Sequence, residues 1–261
     1  MTHNSTTFAL RVLSAGVALT ISTTASASAE VGGYANGGSY TVSQGVTEAT
    51  LSGTVSPGRA SFSGYANAAT GVLKSSATSN FFDGNPGAIN LSSRADSSIR
   101  GYVTFTSGFG TRAFLDYSFD GEISEIGLVR TPSTYALLSL FAGQSLYSVG
   151  LSPVGSSFGC FGECIKGYST ARTGTLEFII SENPMMTGGT LEAYSDQGHV
   201  VNFSNTGKLF LRTDEAWSSS KNFLTEATEI FASPVPEPST SLLMFGGLAV
   251  VLIGYRKRRT G

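Results

Sequence analysis

Apolar and polar residues alternate most cleanly along Arg112-Ala113-Phe114-Leu115-Asp116-Tyr117-Ser118-Phe119. Ala, Leu, Tyr and Phe fall on one face there, which is the period of a half-buried strand. Asp120-Gly121 follows, and Glu122 to Val129 returns. Asp-Gly between two such runs predicts a hairpin, because a type I′ turn needs φ > 0 at both central residues. Gly101 to Thr106 is a further strand candidate. Thr134 to Phe141 is a continuous apolar run that fits a strand buried on both faces or a short helix. Its neighbours Ser145 to Leu151 read as extended, so a strand is expected. Gly174 to Ser181 and Thr190 to Ser195 flank Asn183-Pro184 and Gly188-Gly189, which predicts a second hairpin with a longer loop. Val200 to Thr213 reads as a long strand, bulged near Asn205 to Gly207. Asp214 to Phe231 reads as irregular plus strand.

Long amphipathic helical stretches are absent. The expected fold class is therefore all-β: an antiparallel β-sandwich, jelly-roll-like, whose sheets cover each other's apolar faces. Residues 31–80 are rich in Gly, Ser, Thr and Ala and predict less. Gly33-Tyr34-Ala35-Asn36 recurs as Gly64-Tyr65-Ala66-Asn67 with no third copy, so no solenoid is expected.

The two ends of the 261-residue chain have a different character. Arg11 precedes an apolar stretch from Val12 to Ile21, and small residues then end in Ala27-Ser28-Ala29. That is the n-region, h-region and A-x-A site of a signal peptide spanning 1–29. Export through the Sec translocon is expected, with cleavage after Ala29 leaving Glu30 first and Ala27 as the runner-up site. Residues 30–232 are then the working sandwich.

At the other end stand Val235, Pro236, Glu237 and Pro238, an apolar run from Ser241 to Tyr255, and the basic residues Arg256, Lys257, Arg258 and Arg259. Prolines on both sides of a glutamate keep the backbone extended. The apolar run is about the shortest that can span a bilayer as a helix, and the basic tail holds its far end in the cytoplasm. Residues 233–261 resemble the PEP-CTERM sorting signal of Gram-negative bacteria in order, spacing and terminal position. The resemblance implies recognition and processing by an exosortase, and a host that makes exopolysaccharide. It predicts an inner-membrane-anchored precursor that ends at the cell surface or in the extracellular matrix.

Charge sharpens this picture. All eighteen acidic residues lie between Glu30 and Glu237, against eleven of the sixteen basic ones, a balance of −7. An acidic surface argues against nucleic acid as a partner. Cys160 and Cys164 are the two cysteines, and in an exported chain a disulfide between them is the default. Two thiols without a nearby histidine are too few for structural zinc, so no metal or other cofactor is expected.

Catalytic patterns are weak. Gly155-Ser156-Ser157-Phe158-Gly159 matches G-x-S-x-G, and Asp196 and His199 follow in the order a triad needs, but no helix pattern follows the serine. Asp116, Asp120, Glu122 and Glu125 crowd one stretch and offer oxygen ligands for calcium without a known loop spacing. Paired carboxylates for sugar cleavage are a spatial arrangement that spacing does not reveal. The reading is a non-enzymatic exported surface or matrix protein associated with exopolysaccharide and biofilm. A carbohydrate-binding module is the alternative, and a secreted hydrolase a lesser one.

Overall fold

A computed structural model describes residues 26–36, 38–55, 60–80, 92–105, 109–126, 133–154, 160, 162–196, 198–213 and 216–226. Fourteen strands follow in chain order: β1 (Ser28–Ala35), β2 (Thr41–Gly45), β3 (Glu48–Val55), β4 (Ala60–Asn67), β5 (Val72–Ser79), β6 (Ser92–Phe105) and β7 (Arg112–Glu125). Then come β8 (Tyr135–Ala142), β9 (Ser145–Ser152), β10 (Gly162–Lys166), β11 (Ser169–Ile179), β12 (Met185–Asp196), β13 (His199–Thr213) and β14 (Trp217–Ser219). The first sheet has the order β10-β9-β8-β12-β6-β1-β2, with β14 also on β6. The second has the order β11-β7-β13-β5-β4-β3. Pairing is antiparallel throughout the described ladders except between β9 and β10, which run parallel.

The inward faces of the two sheets meet in one main core. Its wide part is filled by large side chains: Phe105, Phe119, Phe203, Leu115, Leu138 and Leu140 are all buried, and Phe119 stacks on Phe203 at 4.6 Å. The other part is built from small residues. Ser75 on β5 donates to the Leu191 carbonyl on β12 at 2.9 Å, and Ser93 on β6 donates to the Thr78 carbonyl at 2.8 Å. Ser97 donates across in the same way to the Lys74 carbonyl. A hydroxyl that reaches backbone on the facing sheet draws the layers well inside their usual spacing of about 10 Å. These serines are buried and satisfied, so they cost the core little.

The two chain ends of the described sandwich adjoin. The Ala27 amide donates to the Lys221 carbonyl at 3.3 Å, and Phe223 fills the space over Gly101, where an added Cβ would meet its ring at 2.3 Å. Ala27 and Ala29 both belong to the core.

The strands expected at Thr134–Phe141, Ser145–Leu151 and Val200–Thr213 are present, the last with a register shift between Phe203 and Gly207. Two expectations are corrected. Asp120-Gly121 is no hairpin: β7 runs straight through it, pairing with β11 and β13. Gly121 is there for space, since a Cβ would meet the Asn202 carbonyl and the Phe203 ring at 2.6 Å. The second predicted hairpin is an inter-sheet connection, because β11 pairs in one sheet and β12 in the other. Residues 31–80, which predicted little, contain most of five strands.

Candidate functional site

The outward face of the first sheet carries the densest polar and aromatic grouping among the described residues. Strand pairing sets it. Tyr34 on β1 lies opposite Arg94 on β6, which lies opposite Tyr194 on β12, which lies opposite Tyr135 on β8. In the next row Gly32, Asp96, Glu192 and Leu137 face one another in the same order. Alternation along each strand puts both rows on the side away from the core.

Arg94 ties the rows together. Its Nε lies 3.0 and 2.9 Å from the two Asp96 carboxylate oxygens, and its Nη2 lies 3.1 Å from Glu192 Oε2. Tyr135 donates its hydroxyl to Glu192 Oε1, and Tyr40, arriving from the turn before β2, donates to Asp96 Oδ2 at 2.7 Å. Gly32 makes the second contact possible, because an added Cβ would sit 2.1 Å from the Tyr40 hydroxyl oxygen. The rings of Tyr135 and Tyr194 stack at 5.3 Å.

The electrostatics follow from this packing. Burial pushes the Asp96 carboxyl up, and Arg94 and the Tyr40 hydrogen bond offset only part of that. Burial likewise raises Glu192, with the neighbouring Asp96 adding to it. Burial, then the adjoining carboxylate, holds the Tyr40 and Tyr135 hydroxyls above the ordinary tyrosine range. Burial pulls the Arg94 guanidinium down, but Asp96 and Glu192 overcome it and leave it raised. The grouping is a fixed network of donors and acceptors at the edge of three partly buried tyrosine rings. It offers hydrogen bonds and flat apolar surface to a ligand.

The residues singled out from sequence behave differently. Cys160 and Cys164 form a disulfide with Cα atoms 5.8 Å apart, and Cys164 lies within the edge strand β10. Ala29 and Glu30 both lie inside β1, with Ala29 buried. Val235, Pro236, Glu237, Pro238, Arg256, Lys257, Arg258 and Arg259 lie outside the described residues, as does Ser157. His199 is buried, with Nδ1 2.8 Å from the backbone carbonyl of Asp196. It faces the core, so the Asp196-His199 pair is no catalytic dyad. Asp116, one of the candidate calcium ligands, is taken by Arg212 and Thr175. No group of three His, Cys, Asp or Glu suited to a metal occurs among the described residues.

Sequence reasoning missed Arg94, Asp96, Tyr135 and Glu192 as a set. They come from three strands distant in sequence, and only the order of the sheet unites them.

Comparison with known protein families matches residues 234–259 to the PEP-CTERM protein-sorting motif. The chain carries a PEP-CTERM sorting motif. The PEP-CTERM motif implies exosortase-dependent sorting of an exported protein, made as a membrane-anchored precursor and sorted to the cell surface. No curated protein matches the chain. No solved structure matches it either. Among the described residues no helix is long and apolar enough to cross a membrane, and the expected span lies outside them.

Proposed function

We propose that this chain is a non-enzymatic surface or matrix protein: a jelly-roll-like sandwich exported through Sec by a cleaved signal peptide and released from its C-terminal transmembrane helix by exosortase. The observation that carries this reading is the PEP-CTERM motif at residues 234–259. It begins only a few residues beyond Glu226, whose amide still bonds to the Ala69 carbonyl of the sandwich. The backbone from Glu226 to Val235 reaches at most roughly 30 Å, so the folded domain and the processing point stay close together. Deployment with exopolysaccharide in a biofilm fits a rigid all-β domain with a local disulfide and an acidic surface.

Replacing Pro236, Glu237 and Pro238 with alanine tests the reading. Translocation should be intact, and an uncleaved inner-membrane species should accumulate in an exosortase-positive host. Fractionation with an epitope tag inserted before Ser233 reads the outcome. Unchanged size and location in the variant would reduce the tail to a plain anchor.

A further inference from the structure

Tyr34, Arg94, Tyr194 and Tyr135 form one line across four adjacent strands, on the face turned away from the core. Neighbouring strands are about 4.8 Å apart, so the line is roughly 14 Å long. All three tyrosines are partly buried and keep part of their surface open to solvent, and two of them stack on each other. Directly beside the line, Asp96 and Glu192 hold carboxylate oxygens in place through Arg94, Tyr40 and Tyr135.

A pyranose ring has one flat face of C–H groups and a rim of hydroxyls that both donate and accept. The negative face of a tyrosine ring attracts the C–H groups. The carboxylate oxygens and guanidinium N–H groups at its edge match the rim. We propose that this line of tyrosines is a binding site for the pyranose rings of an uncharged polysaccharide.

Charge narrows the ligand. Arg94 against two carboxylates leaves the patch at a net −1 when both are ionised, which repels phosphate and uronate chains. A protein partner fits poorly, because the centre of a protein interface is depleted in charge and this centre is an ion-paired triad. The side chains already hold one another, so binding a glycan orders few further rotamers. The site lies on the sandwich and not on the sorting tail, so its failure would leave the sorting reading standing.

The test uses the processed protein purified from its producing cell. Affinity electrophoresis against soluble cellulose derivative without charge, β-1,3-glucan and amylose, with alginate as the charged control, measures retention. At least one neutral polymer should retard the protein and alginate should not. Tyr194→Ala and Tyr34→Ala should each weaken that retention roughly tenfold, about the value of one aromatic stacking contact. Phe109→Ala, an exposed aromatic away from this face, should leave it unchanged. Thermal melting checks that each variant is folded, and Tyr34→Ala carries the test if Tyr194→Ala is not. Absence of retention by every neutral polymer, retention by alginate alone, or full retention by a folded tyrosine variant would each overturn the proposal.

Discussion

Arg212 grips Asp116 through two parallel hydrogen bonds, Nε to Oδ2 at 2.9 Å and Nη2 to Oδ1 at 3.2 Å. Its guanidinium also lies 4.5 Å from the centre of the Phe114 ring. The pair is lopsided: the Asp116 side chain is 1% exposed and that of Arg212 is 47% exposed. Losing the arginine strands a buried carboxylate, whereas losing the carboxylate leaves an arginine that can turn to water. Arg212→Ala should therefore cost about 2–4 kcal/mol, and Asp116→Asn only about 1 kcal/mol. Urea unfolding of the two variants measures the difference; equal losses would contradict the asymmetry.

The carboxylates on the opposite sheet predict a pH effect of unusual sign. Burial raises Asp96 and Glu192 in the folded state above their unfolded values. Such groups bind protons more readily when folded, so their contribution to stability is full below the unfolded values and is lost as pH rises through the folded ones. The stability advantage of the wild type over Asp96→Asn/Glu192→Gln should grow as pH falls from neutral toward the ordinary carboxylate range. Melting temperatures across that range decide it, and a flat or shrinking difference would refute it.

The mature amino terminus has a structural consequence. Cleavage after Ala29 removes Ala27 and Ala29 from the core and Ser28 from its pairing with Arg100. A chain starting at Glu30 should be about 1–3 kcal/mol less stable than one starting at Ser26, from two buried methyl groups and the lost strand hydrogen bonds. Denaturation of the two forms tests the cost, and N-terminal sequencing of the exported protein locates the cut.

The disulfide is local. It ties Cys160 to Cys164 within edge strand β10, and neither cysteine belongs to the core. Cys160→Ser with Cys164→Ser should keep the sandwich folded and shift stability by about 0–3 kcal/mol. An unfolded double variant at room temperature would show the bridge to be structural for the whole domain.

Strands with large inward side chains were readable before any fold was known. Tyr135 to Ala142 and His199 to Thr213 announce themselves by Leu138, Leu140, Leu209 and Leu211. Strands β4, β5 and the start of β6 did not, because apart from Phe62 and Leu73 their inward residues are small: Ala60, Ala66, Ser75, Ala77, Ser79, Ala95 and Ser97. Such residues make a core only where a second sheet comes unusually near, and no window of sequence contains that second sheet. Asp120-Gly121 misled for a related reason: its glycine makes room for Phe203, which lies far along the chain. The tyrosine line was invisible because Arg94 and Glu192 become neighbours only through the pairing of β6 with β12.

The seat of Phe223 over Gly101 bears on the timing of export. A chain that crosses a membrane amino end first delivers β1 early, and β1 must wait for β6 before it has its main partner. Phe223, which plugs the space over Gly101, arrives after every strand. Contacts this distant in the chain make folding slow. The last buried side chain of the described fold therefore comes from residues only about ten positions ahead of the sorting motif, so the core is complete only with a segment that leaves the translocation channel late.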